Sequence, residues 1–134
     1  IWGRDGWKYV DRWIGGNPFV GTESVSHIKT AVWGMAYHGK NIDSGFSNDD
    51  LNDWLSEVLI RPQNDLPIRG PFRFKKDGGE YNMSYDGRLE NFEATESITQ
   101  NGKIVYVAKF IGGLANVNTW PEKQPWMVVS NDEA

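Results

Sequence analysis

The sequence predicts an α+β domain. Two pseudo-repeated three-stranded antiparallel units form one curled or barrel-like sheet, with one main helix between them. Three observations carry this. Residues 19–39 recur at 92–112 without a gap. Alternating apolar and polar runs flank Asn101-Gly102. One stretch alone, about residues 48–61, has the apolar spacing of a helix. In the ungapped alignment Phe19, Thr22, Glu23, Ser24, Val32 and Gly39 are identical to Phe92, Thr95, Glu96, Ser97, Val105 and Gly112. The repeat spans about 8–39 and 80–113.

Each element follows from local pattern. In the first copy the strands are Lys8–Ile14, Phe19–Ser26 and Thr30–His38. The turn between the last two, His27-Ile28-Lys29, lacks Asn-Gly, so a looser or longer hairpin is expected. Ser47 is the expected helix N-cap, with Asp50 three residues on as in a capping box. Leu51, Trp54, Leu55, Val58 and Leu59 then make one apolar stripe. Pro62 stops the helix after Arg61. The Pro- and Gly-rich stretch 62–79 reads as a loop, with a short extended piece around Phe72–Phe74.

The second copy is clearer. Tyr81, Met83 and Tyr85 alternate with polar residues, and Phe92–Thr99 and Ile104–Ile111 flank Asn101-Gly102, a hairpin signal because type I′ turns need positive φ at both centres. The Gly pairs at Gly15, Gly78 and Gly112 read as turns. The tail, 114–134, carries Pro121 and Pro125 and reads as extended. The total is six or seven strands in a single domain over 1–134.

Composition narrows the function. With 134 residues, 39% hydrophobic and 24% charged, the chain is globular and long enough to bury a core. A net charge of −4 argues against nucleic acid as a partner. No cysteine is present, so there is no disulfide framework and no thiolate metal site. No apolar run reaches the ~20 residues of a membrane helix, and no signal peptide is visible. A cytoplasmic protein without cofactor or metal is expected. His27 and His38 have no partner at metal-ligand spacing, and no phosphate loop or serine elbow is present.

The strand faces hold the candidate chemistry. In both copies a glutamate lies among apolar neighbours: Glu23 with Phe19, Gly21 and Val25, and Glu96 with Phe92, Ala94 and Ile98. A carboxylate facing a core needs a cation, backbone donors or a proton. Arg69, Arg73, Arg12 and Lys109 are the candidate cations. Three uses remain open. The glutamates tie strands together. They anchor a cationic or hydroxylated ligand in a cavity near the pseudo-twofold. Or they act as acid and base, although no catalytic residue is assigned. On the next strands Ala31, Trp33, Met35 and Tyr37 share a face, matching Ile104, Tyr106, Ala108 and Phe110. Trp33, Tyr37, Tyr85 and Tyr106 are the expected pocket wall, with Glu23, Glu96 and Arg69 as polar anchors. The basic cluster Arg69, Arg73, Lys75 and Lys76 reads first as a solvated loop or as partners for Asp53 or Glu57. Trp2, Trp7, Trp120 and Trp126 lie near the two ends, which suggests that the ends dock and form a homodimer interface.

The stretches Tyr9–Gly16, Phe19–Glu23, Val32–Gly39, Leu66–Pro71 and Ile104–Gly113 resemble the bacterial domain of unknown function 5680 family. The shared patterns are Y-x-D-x-x-x-G-G, F-x-G-x-E, V-W-x-M-x-Y-x-G, P-[YF]-R-G-P and a closing glycine pair. The resemblance covers about 7–115. Ile68 stands where an aromatic is usual, Ala94 where a glycine is usual, and the tail from Asn116 has no counterpart. Members are often joined to Xre-type helix-turn-helix regulators. The resemblance therefore implies an effector-sensing or dimerising module, and it makes Arg69 the preferred partner of one glutamate. A free-standing chain without an initial Met also resembles an environmental gene-cassette product.

Overall fold

The computed structural model describes residues 1–62 and 68–116. Eight strands form one sheet: β1 (Trp2–Arg4), β2 (Trp7–Gly15), β3 (Phe19–His27), β4 (Thr30–Asn41), β5 (Arg73–Lys76), β6 (Gly79–Arg88), β7 (Asn91–Gln100) and β8 (Lys103–Leu114). Helix α1 (Asn48–Val58) lies between β4 and β5 in the chain. The strand order is β1-β2-β3-β4-β8-β7-β6-β5, antiparallel throughout. Two four-strand meanders thus meet where β4 pairs with β8. The class is α+β, but among the described residues the barrel-like closure does not form, because β1 and β5 are the sheet's two open edges. Both are short, and Arg73, Lys75 and Lys76 charge the β5 edge, which discourages further pairing.

The count of eight exceeds the six or seven expected. The unforeseen strand is β1, too short to show alternation. Its signal was Asp5-Gly6, whose φ values of 53° and 84° make a two-residue turn. The other added strand, β5, overlaps the extended piece expected near Phe72–Phe74.

The hairpin of β3 and β4 is not looser. His27 pairs with Thr30, so the turn is Ile28-Lys29 alone, with φ of 46° and 67°. It has the same form as Asn101-Gly102, with φ of 51° and 76°. Strand register decides the turn here, against the preference of the residues in it. The 73-residue offset of the sequence is also the offset of the registers. Phe19 pairs with Gly39 as Phe92 does with Gly112, and each hairpin carries a bulge, at Val25/Ser26 and at Ile98/Thr99.

Those bulges correct the predicted face of β4 and β8. Val32 and Val105 are the extra residues, since Val25 pairs with Trp33, Ser26 with Ala31, Ile98 with Tyr106 and Thr99 with Ile104. Val32 and Trp33 are therefore both buried, as are Val105 and Tyr106. Ala31 and Ile104 are turned outward and exposed. Gly112 is not a turn residue either. It lies within β8, where a Cβ would stand 2.4 Å from the Gly34 carbonyl oxygen, so glycine allows β4 to approach.

Helix α1 starts as expected. The Ser47 hydroxyl accepts from the Asp50 amide at 3.0 Å, and the Asp50 carboxylate accepts from the Ser47 amide at 2.9 Å. It ends at Val58, three residues before Arg61. Leu51, Trp54 and Val58 are buried. Trp54 meets Phe74 edge-on at 6.5 Å, and Lys76 lies 5.2 Å from the Trp54 ring. The helix therefore covers the β5–β8 half, where Tyr81, Phe92, Ile98, Tyr106 and Ala108 form the core. On the β1–β3 strands the matching inward residues are only half-buried or exposed. This difference between two halves of similar register positions the site.

Candidate functional site

The two glutamates have different surroundings. Glu96 is fully buried. Arg69 donates to both of its oxygens, Nε to Oε2 at 3.0 Å and Nη2 to Oε1 at 2.8 Å. The hydroxyl of Tyr81 donates to Oε2 at 2.5 Å and that of Tyr106 to Oε1 at 2.7 Å. Each oxygen thus accepts one charge-assisted and one phenolic bond. Burial, then the nearby carboxylate, raises the pKa of both phenols. Burial alone would lower the Arg69 pKa, but Glu96 more than offsets that and raises it. Gly70 makes room for this network, since a Cβ there would lie 2.7 Å from the Tyr81 hydroxyl.

Glu23 sits at the corresponding register, half-buried, with a poorer set of partners. The Tyr9 hydroxyl bonds to it, and Asp11 lies directly opposite across the β2–β3 ladder. In the second half the residue facing Glu96 is Met83. Burial raises the Glu23 pKa above its ordinary 4.5. The Tyr9 bond opposes this, the Asp11 charge adds to it, and the Arg69 charge opposes it. Asp11 accepts from the Tyr37 hydroxyl at 2.6 Å. Tyr37 reaches it by crossing Gly21, where a Cβ would lie 2.5 Å from that hydroxyl. The matching pair in the other half is Ala94 with Phe110, which has no hydroxyl to direct.

Around Glu23 the inner face is open. Three cavities border it. The largest, about 450 Å³, is walled by Trp2, Trp7, Tyr9, Val25 and Trp33, with Ile68 and Leu89 across from them and Arg4, Asp5 and Lys8 at its rim. A second, about 420 Å³, adds Leu59, Pro62 and Arg69. The third, about 310 Å³, is lined by Asp11, Trp13, Phe19 and Tyr37 from the sheet, Leu51, Asn52 and Leu55 from α1, and Arg69. Tyr9, Ile68 and Arg69 are shared between neighbours, so the three make one groove between β1–β3 and the helix.

Not all the predicted site residues meet here. Glu23, Arg69, Trp33 and Tyr37 border the groove, and so do Trp2 and Trp7, which sequence reading placed at an interface. Trp7 also packs on His27 with ring centroids 4.5 Å apart. Trp33 donates to the Leu89 carbonyl at 2.8 Å and is mostly covered. Glu96 and Tyr106 are fully buried away from the groove. Tyr85 lines none of its three cavities and packs edge-on against Phe72 at 5.6 Å. Burial pushes its phenol up to about 12. The expected wall of Trp33, Tyr37, Tyr85 and Tyr106 is therefore not one surface, because Tyr85 and Tyr106 belong to the covered half. Glu23 and Glu96 do not line a common cleft. Trp120 and Trp126 lie outside the described residues. Tyr9, Asp11 and Trp13 were missed as site residues, although Trp7, Tyr9, Asp11 and Trp13 alternate along one strand and so share its inner face.

Three other basic side chains bond to groups other than the two glutamates. Arg73 pairs with Glu80 at 2.7 Å and Lys76 with Glu57 at 2.5 Å, while Lys109 bonds to Thr95 at 3.1 Å. Among the described residues no three His, Cys, Asp or Glu side chains converge as a metal site, and no helix is long and apolar enough to cross a membrane.

Residues 11–115 match the family model of the Domain of unknown function, DUF5680. The chain belongs to the DUF5680 family. No curated protein and no solved structure matches it. The DUF5680 match begins at Asp11, whose side chain bonds to Tyr37, and runs through both glutamates and Arg69 to the end of β8. The groove's acidic end and the Glu96 network thus both lie within the family region, whereas Trp2, Trp7 and Tyr9 precede it.

Proposed function

We propose that this DUF5680 domain is a small-molecule-binding module of effector type, with its ligand in the groove over β2 and β3. One observation carries the reading: Glu23 borders all three cavities, so one half-buried carboxylate commands the whole groove. The volumes suit a ligand site, which typically spans about 300–1,000 Å³ with mostly apolar walls and few polar groups. The matched registers support descent of both meanders from one duplicated unit. On that reading one copy became core around Glu96 and the other kept its face open.

The test is thermal unfolding of wild type and Glu23→Gln against a metabolite library. A ligand at a hundredfold excess over its Kd stabilises the native state by about 2.7 kcal/mol. The expected result is a hit that raises the wild-type Tm and is lost in folded Glu23→Gln and in Trp13→Ala. Hits that survive both substitutions would move the ligand away from the groove.

A second reading, a homodimer, is favoured by one feature. β1 is an open edge with Trp2 56% exposed on it. Light scattering at micromolar concentration is expected to give a dimer mass that Trp2→Ser reduces. A monomer mass for the wild type rejects it.

A further inference from the structure

We propose that the 310 Å³ end of the groove holds an organic cation (an amine, guanidinium or quaternary ammonium group) between Asp11 and Glu23, against the rings of Trp13 and Tyr37. The proposal rests on the binding-groove reading and names the ligand class for it.

The molecule contains its own precedent. At the Glu96 position this scaffold surrounds a carboxylate with one guanidinium and two phenols. At the same register, 73 residues earlier, Glu23 has one phenol, and a second carboxylate stands where the other half has Met83. Directly opposed residues on neighbouring strands have Cβ atoms about 5 Å apart, and like charges there repel. Neither Asp11 nor Glu23 takes part in an ion pair among the described residues. Among the described residues Arg69 is the only cation lining this end, and its Nε and Nη2 are both committed to Glu96. Its field reaches Glu23 without forming a pair with it. The charge that would balance the two acids is therefore absent from the described chain, at a place that opens into a cavity.

The walls distinguish between cations. A metal ion would find two carboxylates, too few oxygens for a protein-built calcium site. An organic cation uses both the carboxylates and the rings. Trp13 is 62% exposed on the inner face, and an indole face is the strongest aromatic partner for a cation. Phe19 and Leu55 close the apolar side. The groups facing Glu23 are Tyr9, Asp11, Tyr37 and Arg69. Of these, Asp11 gains most from an added positive charge, since its one described hydrogen bond comes from a neutral phenol.

The experiment is an amide NMR titration of the full chain at neutral pH with benzylamine, which is protonated there. Benzyl alcohol is the neutral control and benzoate the anionic one. Benzylammonium is expected to shift amides around Asp11, Glu23 and Tyr37, and to bind at least about tenfold more tightly than benzyl alcohol, with benzoate weaker still. Asp11→Asn, Glu23→Gln and Trp13→Ala should each weaken it by about tenfold or more while leaving the β6–β8 amides in place. Should Asp11→Asn fail to fold, Glu23→Gln and the benzyl alcohol comparison decide. Equal binding of benzylammonium and benzyl alcohol overturns the cation inference and leaves the groove reading standing. Shifts in no groove amide with any of the three probes overturn both.

Discussion

At the scale of single residues, two glutamates at equivalent positions are predicted to behave oppositely. Glu96 balances Arg69, and removing its charge leaves a largely buried guanidinium uncompensated. Glu96→Gln should cost about 3 kcal/mol or more in urea unfolding, the size expected when one partner of a buried pair is lost. Glu23→Gln removes one of two facing carboxylates and should be neutral or stabilising near neutral pH. Its effect should depend on pH in a definite direction. The folded Glu23 pKa lies above its ordinary 4.5, so the native state holds this proton more tightly than the unfolded chain. Below that value both states are protonated and the group contributes nothing. As pH rises from there toward the raised native value, the unfolded chain loses its proton first and native stability falls. The Tm of Glu23→Gln minus that of wild type should thus be near zero at about pH 4, grow positive as pH rises past the ordinary value, and level off once the native carboxyl has ionised. A difference that shrinks over this range would mean that Glu23 is paired in the native state.

At the scale of elements, the turns test how far register overrides local preference. Ile28 and Lys29 are held at positive φ in a two-residue turn, although left-handed backbone costs ordinary residues about 1–2 kcal/mol each. Ile28 is 70% exposed, so its side chain contributes little burial there. Replacing the pair by Asn-Gly, the residues at 101 and 102, should stabilise the domain by about 1 kcal/mol or more and raise Tm by about 4 °C. An unchanged Tm would show that the strain is relieved elsewhere. This turn also marks where the sequence stopped being legible. Asn101-Gly102 announced its hairpin, whereas Ile28-Lys29 adopts the same turn only because β3 and β4 pair in the same way as β7 and β8. The capping box at Ser47 and Asp50, the buried stripe Leu51-Trp54-Val58 and the inward face of Glu96 were readable, because each depends on neighbours within one turn or one strand. The bulges at Val32 and Val105 were not. They turn Ala31 and Ile104 outward through an extra residue that alternation cannot register. The site was half legible for a related reason. The matched glutamates showed in the alignment of residues 19–39 on 92–112, but what separates them, Asp11 against Met83 across the ladder, depends on pairing between strands.

At the scale of the whole molecule, one sheet carries two faces of different strength. The helix and the loop bearing Arg69 bury β6, β7 and β8 around Tyr81, Phe92, Glu96 and Tyr106. The β1–β3 strands end at an open edge, and their inner face borders the groove. Local opening follows the density of buried apolar contact, and binding surfaces come from the weakly protected end of that range. Native-state hydrogen exchange should therefore be slowest in β7 and β8, close to the rate set by global unfolding. It should be faster in β2 and fastest in β1, where pairing lies on one side only. β4 tests the argument most closely, because it pairs with covered β8 on one side and with open β3 on the other. Its amides bonded toward β8 should exchange more slowly than those bonded toward β3. Occupation of the groove by a ligand should raise protection in β2 and β3 while leaving β7 unchanged, since β7 already opens only with the whole domain. Equal protection across all eight strands would mean that the two halves open as one unit. The groove would then be a rigid slot rather than a soft face, and ligand affinity would owe nothing to ordering of the β1–β3 strands.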